Sequence, residues 1–202
     1  MSGHAEEARP TLADVKAFTF KRADPKERDE DRLNLMLPLV LHEAVHLLSS
    51  RARVPDNTAA LWALQRGLRR LRSMPDVVEI IRTRRELAQA GSDDGDFEWP
   101  YKHGLGSPER MDIRHVGHNK VRLMELKRGL KLKSSTIGTL ALAAGLVDAP
   151  LSADLCELLR TQLATFQRRL RQQVQMVRGV YRDAMSQPKT ENTLSWSNVL
   201  LK

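Results

Sequence analysis

The chain has 202 residues, enough to bury a sizeable core as one domain or two small ones, and the order of its elements below favours two. Lys and Arg outnumber Asp and Glu by 33 to 25, a formal net charge of +8, which points to a polyanionic partner rather than an acidic small molecule. A single cysteine, Cys156, excludes an intrachain disulfide framework and a thiolate metal cluster, and with the polar residues Met1 to Pro10 it leads us to expect a reducing, cytoplasmic setting.

The apolar runs from Leu35 to Leu41 and from Thr139 to Val147 are far shorter than the roughly 20 residues that span a bilayer, so no membrane partner is expected. Aromatic residues make up 4% of the chain, too few for the stacking platforms that bind single strands. Double-stranded DNA fits the composition better.

Residues 1–31 crowd charge into their second half, from Lys21 to Asp31, and read as a solvated arm. The stretch Arg32 to Leu37 alternates, placing Leu33, Leu35 and Leu37 on one side of a short strand and Arg32, Asn34 and Met36 on the other. Pro38 ends the strand and starts a helix running to about Arg51, with Leu41, Val45 and Leu48 at helical spacing. Pro55-Asp56-Asn57 reads as a turn with a polar N-cap, followed by a second helix striped by Leu61, Leu64, Leu68 and Leu71 and lined outside by Arg66, Arg69, Arg70 and Arg72. A third helical pattern covers about Pro75 to Ala90.

Gly and Pro recur among Asp, Ser and His from Gly91 to Pro108, so residues 91–110 read as a linker between a domain at 32–90 and a second unit at 111–202. Beyond it the order repeats. A poor strand is expected from Asp112 to Val116, where Ile113 alternates with Arg114. A somewhat shortened helix follows through Val121, Leu123, Leu126 and Leu130, with Ser134-Ser135 as a cap and a second helix from Thr136 to Val147. Asp148-Ala149-Pro150 stops that helix. Leu155, Leu159, Leu163, Phe166, Leu170, Val174, Val177 and Tyr181 then alternate spacings of three and four along a long basic helix. This stripe either packs on its own domain or offers residues 151–185 to a protein partner.

Strand, helix, capped turn and helix is an order that resembles the ribbon-helix-helix DNA-binding proteins of the Arc and MetJ type. The residues that carry the resemblance lie within Arg32 to Arg70, about one fifth of the chain: the Leu33, Leu35, Leu37 alternation, Pro38, the segment Leu41 to Val45, the turn at Asp56-Asn57 and the stripe Leu61, Leu64, Leu68. The resemblance implies a mainly α fold of ribbon-helix-helix units with a short β-ribbon and a long C-terminal helix. A six-residue strand needs an antiparallel partner, so a homodimer or an intrachain pseudo-dimer is expected. The second unit, Met111 to Val147, would be a degenerate copy, in a single-chain arrangement like that of some conjugation accessory proteins, which suits asymmetric DNA.

In this reading Arg32, Asn34 and Met36 face base edges in the major groove, with Arg114 from the second strand. The amides at the helix start near Asn57 and Thr58 hold a backbone phosphate, and Ser134, Ser135 and Thr136 form the corresponding clamp in the second unit. Asp56 opposes this if it points at the phosphate. The implied role is transcriptional regulation, with an accessory role in DNA transfer, recombination or modification as one alternative and a helical adaptor in a larger assembly as another. No cofactor is expected.

One motif points elsewhere. His42-Glu43-Ala44-Val45-His46 matches H-E-x-x-H, in which His42 and His46 would hold zinc and Glu43 would activate a bound water in a metalloprotease. No His follows at metzincin spacing, and Glu79, Glu86 and Glu98 are only loosely placed as third ligands, so an enzyme is not expected. His115 and His118 form an H-x-x-H with no cysteine or well-placed acidic residue beside it, and the spacing reads as incidental.

Overall fold

The computed structural model describes residues 9–19, 32–92, 109–114 and 116–186. Their fold is mainly helical with one small antiparallel sheet. In chain order the elements are α1 (Leu12–Lys16), β1 (Arg32–Leu37), α2 (Leu39–Ala52), α3 (Asp56–Ser73), α4 (Pro75–Gln89), β2 (Glu109–Arg114), α5 (His118–Leu130), α6 (Ser134–Leu146) and α7 (Ala153–Ser186).

Neither strand is long enough to persist alone, and each finds its partner within the same chain: β1 pairs β2 antiparallel, Arg32 opposite Arg114 and Leu37 opposite Glu109. The segment β1-α2-α3 recurs as β2-α5-α6 with matching local geometry. Helices α2 and α5 both end at a left-handed residue, Arg53 (φ 56°) and Lys131 (φ 52°), 78 positions apart. Left-handed conformation at a residue with a Cβ is costly, and its appearance at both helix ends marks the same turn built twice. The residues that precede α3 and α6, Pro55 (φ −60°, ψ 148°) and Lys133 (φ −64°, ψ 144°), again stand 78 apart.

The two segments interlock. α3 and α6 cross so closely that a Cβ added to Gly67 would stand 1.6 Å from the Ala141 carbonyl oxygen, and one added to Gly145 would stand 1.9 Å from that of Ala63. Those pairs also obey the 78-position offset. Backbone thus rests on backbone, a contact only glycine permits. α3 also packs under β2, and α6 under β1, where Gly138 abuts the side chains of Leu33 and Leu35. One buried cluster accordingly joins Leu35, Leu41, Leu64 and Leu68 of the first segment to Ile113, Leu126, Ile137 and Leu142 of the second. From Ile137 to Leu146 every residue of α6 is buried, so this helix is the centre of the molecule rather than an amphipathic surface helix.

Several sequence expectations change in detail. β2 spans Glu109–Arg114 rather than Asp112 to Val116, so part of the expected linker is strand. α5 is one residue shorter than α2, and Val121 is exposed while Leu123, Leu126 and Leu130 carry its buried side. The polar residues expected to cap α3 and α6 lie inside the first turn: α3 starts at Asp56 and α6 at Ser134, and neither preceding residue makes a side-chain cap bond. Pro55, with its fixed φ, occupies the boundary position itself.

The expected solvated arm contains a short capped helix, in which the Thr11 hydroxyl accepts from the Asp14 amide and the Asp14 carboxylate accepts from the Thr11 amide. Its Val15 is fully buried, and α1 lies against α2 and α3. The long helix uses its apolar stripe internally: Leu159, Leu163, Phe166, Leu170, Val174 and Val177 are buried, and α7 packs against α4 and α6. Arg178 to Glu79 and Arg171 to Asp76 (3.7 Å) fasten it to α4. The apolar seam on which the adaptor alternative relied is therefore covered by the chain itself over this stretch.

Candidate nucleic-acid interface

Alternation along two paired strands gives the ribbon two chemically different faces. Inward lie Leu35 and Leu37 of β1 and Met111 and Ile113 of β2, all buried, with Leu33 half-buried on the same side. Outward stand Arg32, Asn34 and Met36 of β1 with Arg110, Asp112 and Arg114 of β2. A one-residue slip would exchange the faces, and the apolar contacts of α3 and α6 hold the register against it.

The register groups the six outward residues into three rungs: Arg32 opposite Arg114, Asn34 opposite Asp112, and Met36 opposite Arg110. An Arg110 Nη2 donates to Asn34 Oδ1 at 3.2 Å, and Arg114 Nε lies 3.6 Å from Asp112 Oδ2. Asp112 Oδ1 is enclosed without a hydrogen-bond partner. The face thus carries three guanidinium groups, one carboxylate, one amide and one thioether, with Met36 49% exposed. Guanidinium and amide donors thus alternate with one carboxylate and one thioether along a narrow two-stranded rod.

Its ends are fixed by the helices. Asn57, the second residue of α3, clasps the end of β2: its Oδ1 accepts from the Arg114 amide at 2.7 Å and its Nδ2 donates to the Arg114 carbonyl at 3.3 Å. The Asn57 side chain is thus a latch on the strand end, and only the backbone amides of this helix start bear on the expected phosphate contact. The Thr58 amide donates to the Pro55 carbonyl at 2.9 Å within the helix's own first turn.

Asp56 turns back to α2, accepting from the Ser49 hydroxyl and facing His46 Nδ1 at 3.2 Å. The Ser49 bond is the main cause that holds the Asp56 carboxyl below the usual carboxylate range; partial burial opposes it, and His46 and His42 add to the lowering. An ionised acid consequently occupies the first position of α3. The start of α6 differs, with Lys133, Ser134, Ser135 and Thr136 in sequence and no acidic residue in the first turn. Ser135 is exposed, and Ser134 and Thr136 are half-buried.

Compared with known proteins, the chain matches no family model, no curated protein and no solved structure.

The His42 and His46 side chains serve as ties between elements. His42 Nδ1 lies 3.3 Å from Glu109 Oε2 on β2, and His46 Nδ1 faces Asp56 on α3. Glu43 is exposed. Among the described residues no group of three or more His, Cys, Asp or Glu side chains comes together as a metal-binding set. His115 lies outside the described residues, as does the side chain of His118.

Arg110 and Asp112 were not among the residues expected to face a ligand. The signal for them is present in the sequence, because Arg110-Met111-Asp112-Ile113-Arg114 alternates polar and apolar as Arg32 to Met36 does. The Gly- and Pro-rich stretch immediately before Glu109 masks the start of that alternation.

Proposed function

We propose that this chain binds duplex DNA by laying the β1–β2 ribbon in the major groove, as a single-chain protein of ribbon-helix-helix type, and regulates transcription by occupying its site. The observation that carries the reading is the outward face of the ribbon, where Arg32, Asn34, Met36, Arg110, Asp112 and Arg114 stand in alternate register over a buried apolar face. A two-stranded ribbon fits the major groove, and arginine and asparagine are the side chains that bond guanine and adenine bidentately there. The element order on both sides of the ribbon, each strand followed by a helix, a left-handed turn and a second helix that crosses its counterpart, supports the same reading.

The net charge of +8 supplies the long-range attraction. Of the two helix starts that flank the ribbon, α6 with Ser134 and Ser135 is the better phosphate contact, since Asp56 places negative charge at the start of α3.

Titration of a labelled duplex with the full chain across a salt series tests this. Phosphate neutralisation releases counterions, so the logarithm of affinity should fall linearly with the logarithm of salt concentration between about 50 and 200 mM. No binding to any duplex at about 50 mM salt refutes the proposal.

A further inference from the structure

Two identical strands related by a two-fold axis read the two halves of a palindrome in the same way. The strands of this ribbon are not identical, and the offset of 78 positions shows where they differ. Arg32 corresponds to Arg110, Asn34 to Asp112 and Met36 to Arg114. The register makes Asn34 opposite Asp112 the central rung, so the quasi-two-fold axis passes through an amide facing a carboxylate.

On one side of that rung stand two guanidinium groups, Arg32 and Arg114. On the other stand Arg110 and the exposed thioether of Met36. Only one of the three outward positions is therefore the same in both strands.

We infer that the ribbon recognises a non-palindromic duplex site, in which Met36 sets one half apart from the other. This inference rests on the proposed major-groove binding and names the site that such binding would select. The chemistry at the differing positions follows from the groove. Arginine at 114 takes a guanine through O6 and N7, which a thioether cannot bond, and methionine at 36 packs against a thymine methyl, which a guanidinium does not favour. At the centre Asp112, whose Oδ1 is enclosed, has Oδ2 to accept from a cytosine amino group, and Asn34 pairs with adenine when Arg110 releases its Oδ1. The single chain makes this possible, because it holds two different strands in one fixed register.

Selection from short duplexes with a randomised core of about one helical turn, long enough for one ribbon, reads the preference directly. The full chain should enrich a motif that differs from its own reverse complement, with guanine favoured on the Arg32–Arg114 side and thymine under Met36. Met36→Arg, which makes the outward residues of β1 resemble those of β2, should replace that thymine by guanine and shift the relative affinity of the two sequences by about tenfold or more. Arg114→Met should produce the complementary change on the other side.

Both substitutions lie on the exposed face, so an unchanged urea midpoint accompanies the expected result. Enrichment of a palindrome, retention of duplex without sequence enrichment, or a motif unaffected by Met36→Arg would each overturn the inference while leaving duplex binding in place. Failure to retain any duplex would instead remove the underlying proposal together with it.

Discussion

Replacing Gly67 by alanine places one methyl group where the α3–α6 crossing has no room. The added Cβ would stand 1.6 Å from the Ala141 carbonyl oxygen and 2.5 Å from its carbon, both backbone atoms that cannot rotate away. Relief requires the two helices to part by about 1.5 Å, and a gap of that order forfeits more than half of the dispersion energy of each contact it opens. Alanine returns about 1 kcal/mol through helix propensity. Overpacking in a filled core costs about 1–3 kcal/mol and sometimes more.

Because the crossing lies at the centre of the buried cluster, the cost belongs at the upper end of that range, and we expect Gly67→Ala to destabilise by about 2 kcal/mol net, or a fall in Tm of about 4–8 °C. Gly145→Ala should behave alike, and the double variant should cost less than the two together, since the first separation already opens the second contact. Gly179 in α7 has nothing within 4 Å of an added Cβ, so Gly179→Ala should stabilise by about 0.5–1 kcal/mol. Urea unfolding followed by circular dichroism gives all four values. A Gly67→Ala protein as stable as the wild type would refute the close-crossing argument.

Asp56 has its pKa depressed chiefly by the Ser49 hydroxyl, so its contribution to stability is present above the unfolded value near 3.8 and is lost as pH falls through the lower folded value. Asp56→Asn should thus lower the urea midpoint at neutral pH and by less in acid below the folded value; equal losses at both would contradict this. Asn57→Ala removes both bonds to the Arg114 backbone, and hydrogen exchange should show the Arg114 amide losing protection while α3 keeps its own. His42→Ala with His46→Ala should leave duplex affinity nearly unchanged and the dialysed protein without stoichiometric zinc, whereas Leu48→Ala should cost about 2–5 kcal/mol of stability. One zinc per chain by elemental analysis, lost in the double variant, would support the H-E-x-x-H alternative.

The first segment was legible because its signals are local. The Leu33, Leu35, Leu37 alternation matches β1 over the same residues, and the spacing of Leu41, Val45 and Leu48 matches the buried side of α2. The second strand was harder, since its two buried residues, Met111 and Ile113, follow a Gly- and Pro-rich stretch that reads as linker. The start of α3 departs from the capping pattern for a physical reason: Asp56 and Asn57 are good capping types, yet tertiary partners on α2 and β2 use their side chains instead. The run from Ile137 to Val147 is apolar on nearly every face, which already marks α6 as an enclosed helix, but the purpose of its glycines appears only with Ala63 and Gly67 across from them. The stripe of α7 fits self-packing and partner binding equally well by periodicity, and contact with α4 and α6 decides between them over the buried stretch.

The central claim, that the outward ribbon face is what touches DNA, is tested most directly by measuring duplex affinity of the Arg32→Ala, Arg110→Ala, Arg114→Ala triple variant beside its urea midpoint. All three side chains are exposed, so the fold should be retained. Loss of base contacts worth about 1–3 kcal/mol each predicts at least a hundredfold weaker binding to a selected site. Undiminished affinity in a folded triple variant would place the DNA contact elsewhere on the molecule and contradict the account.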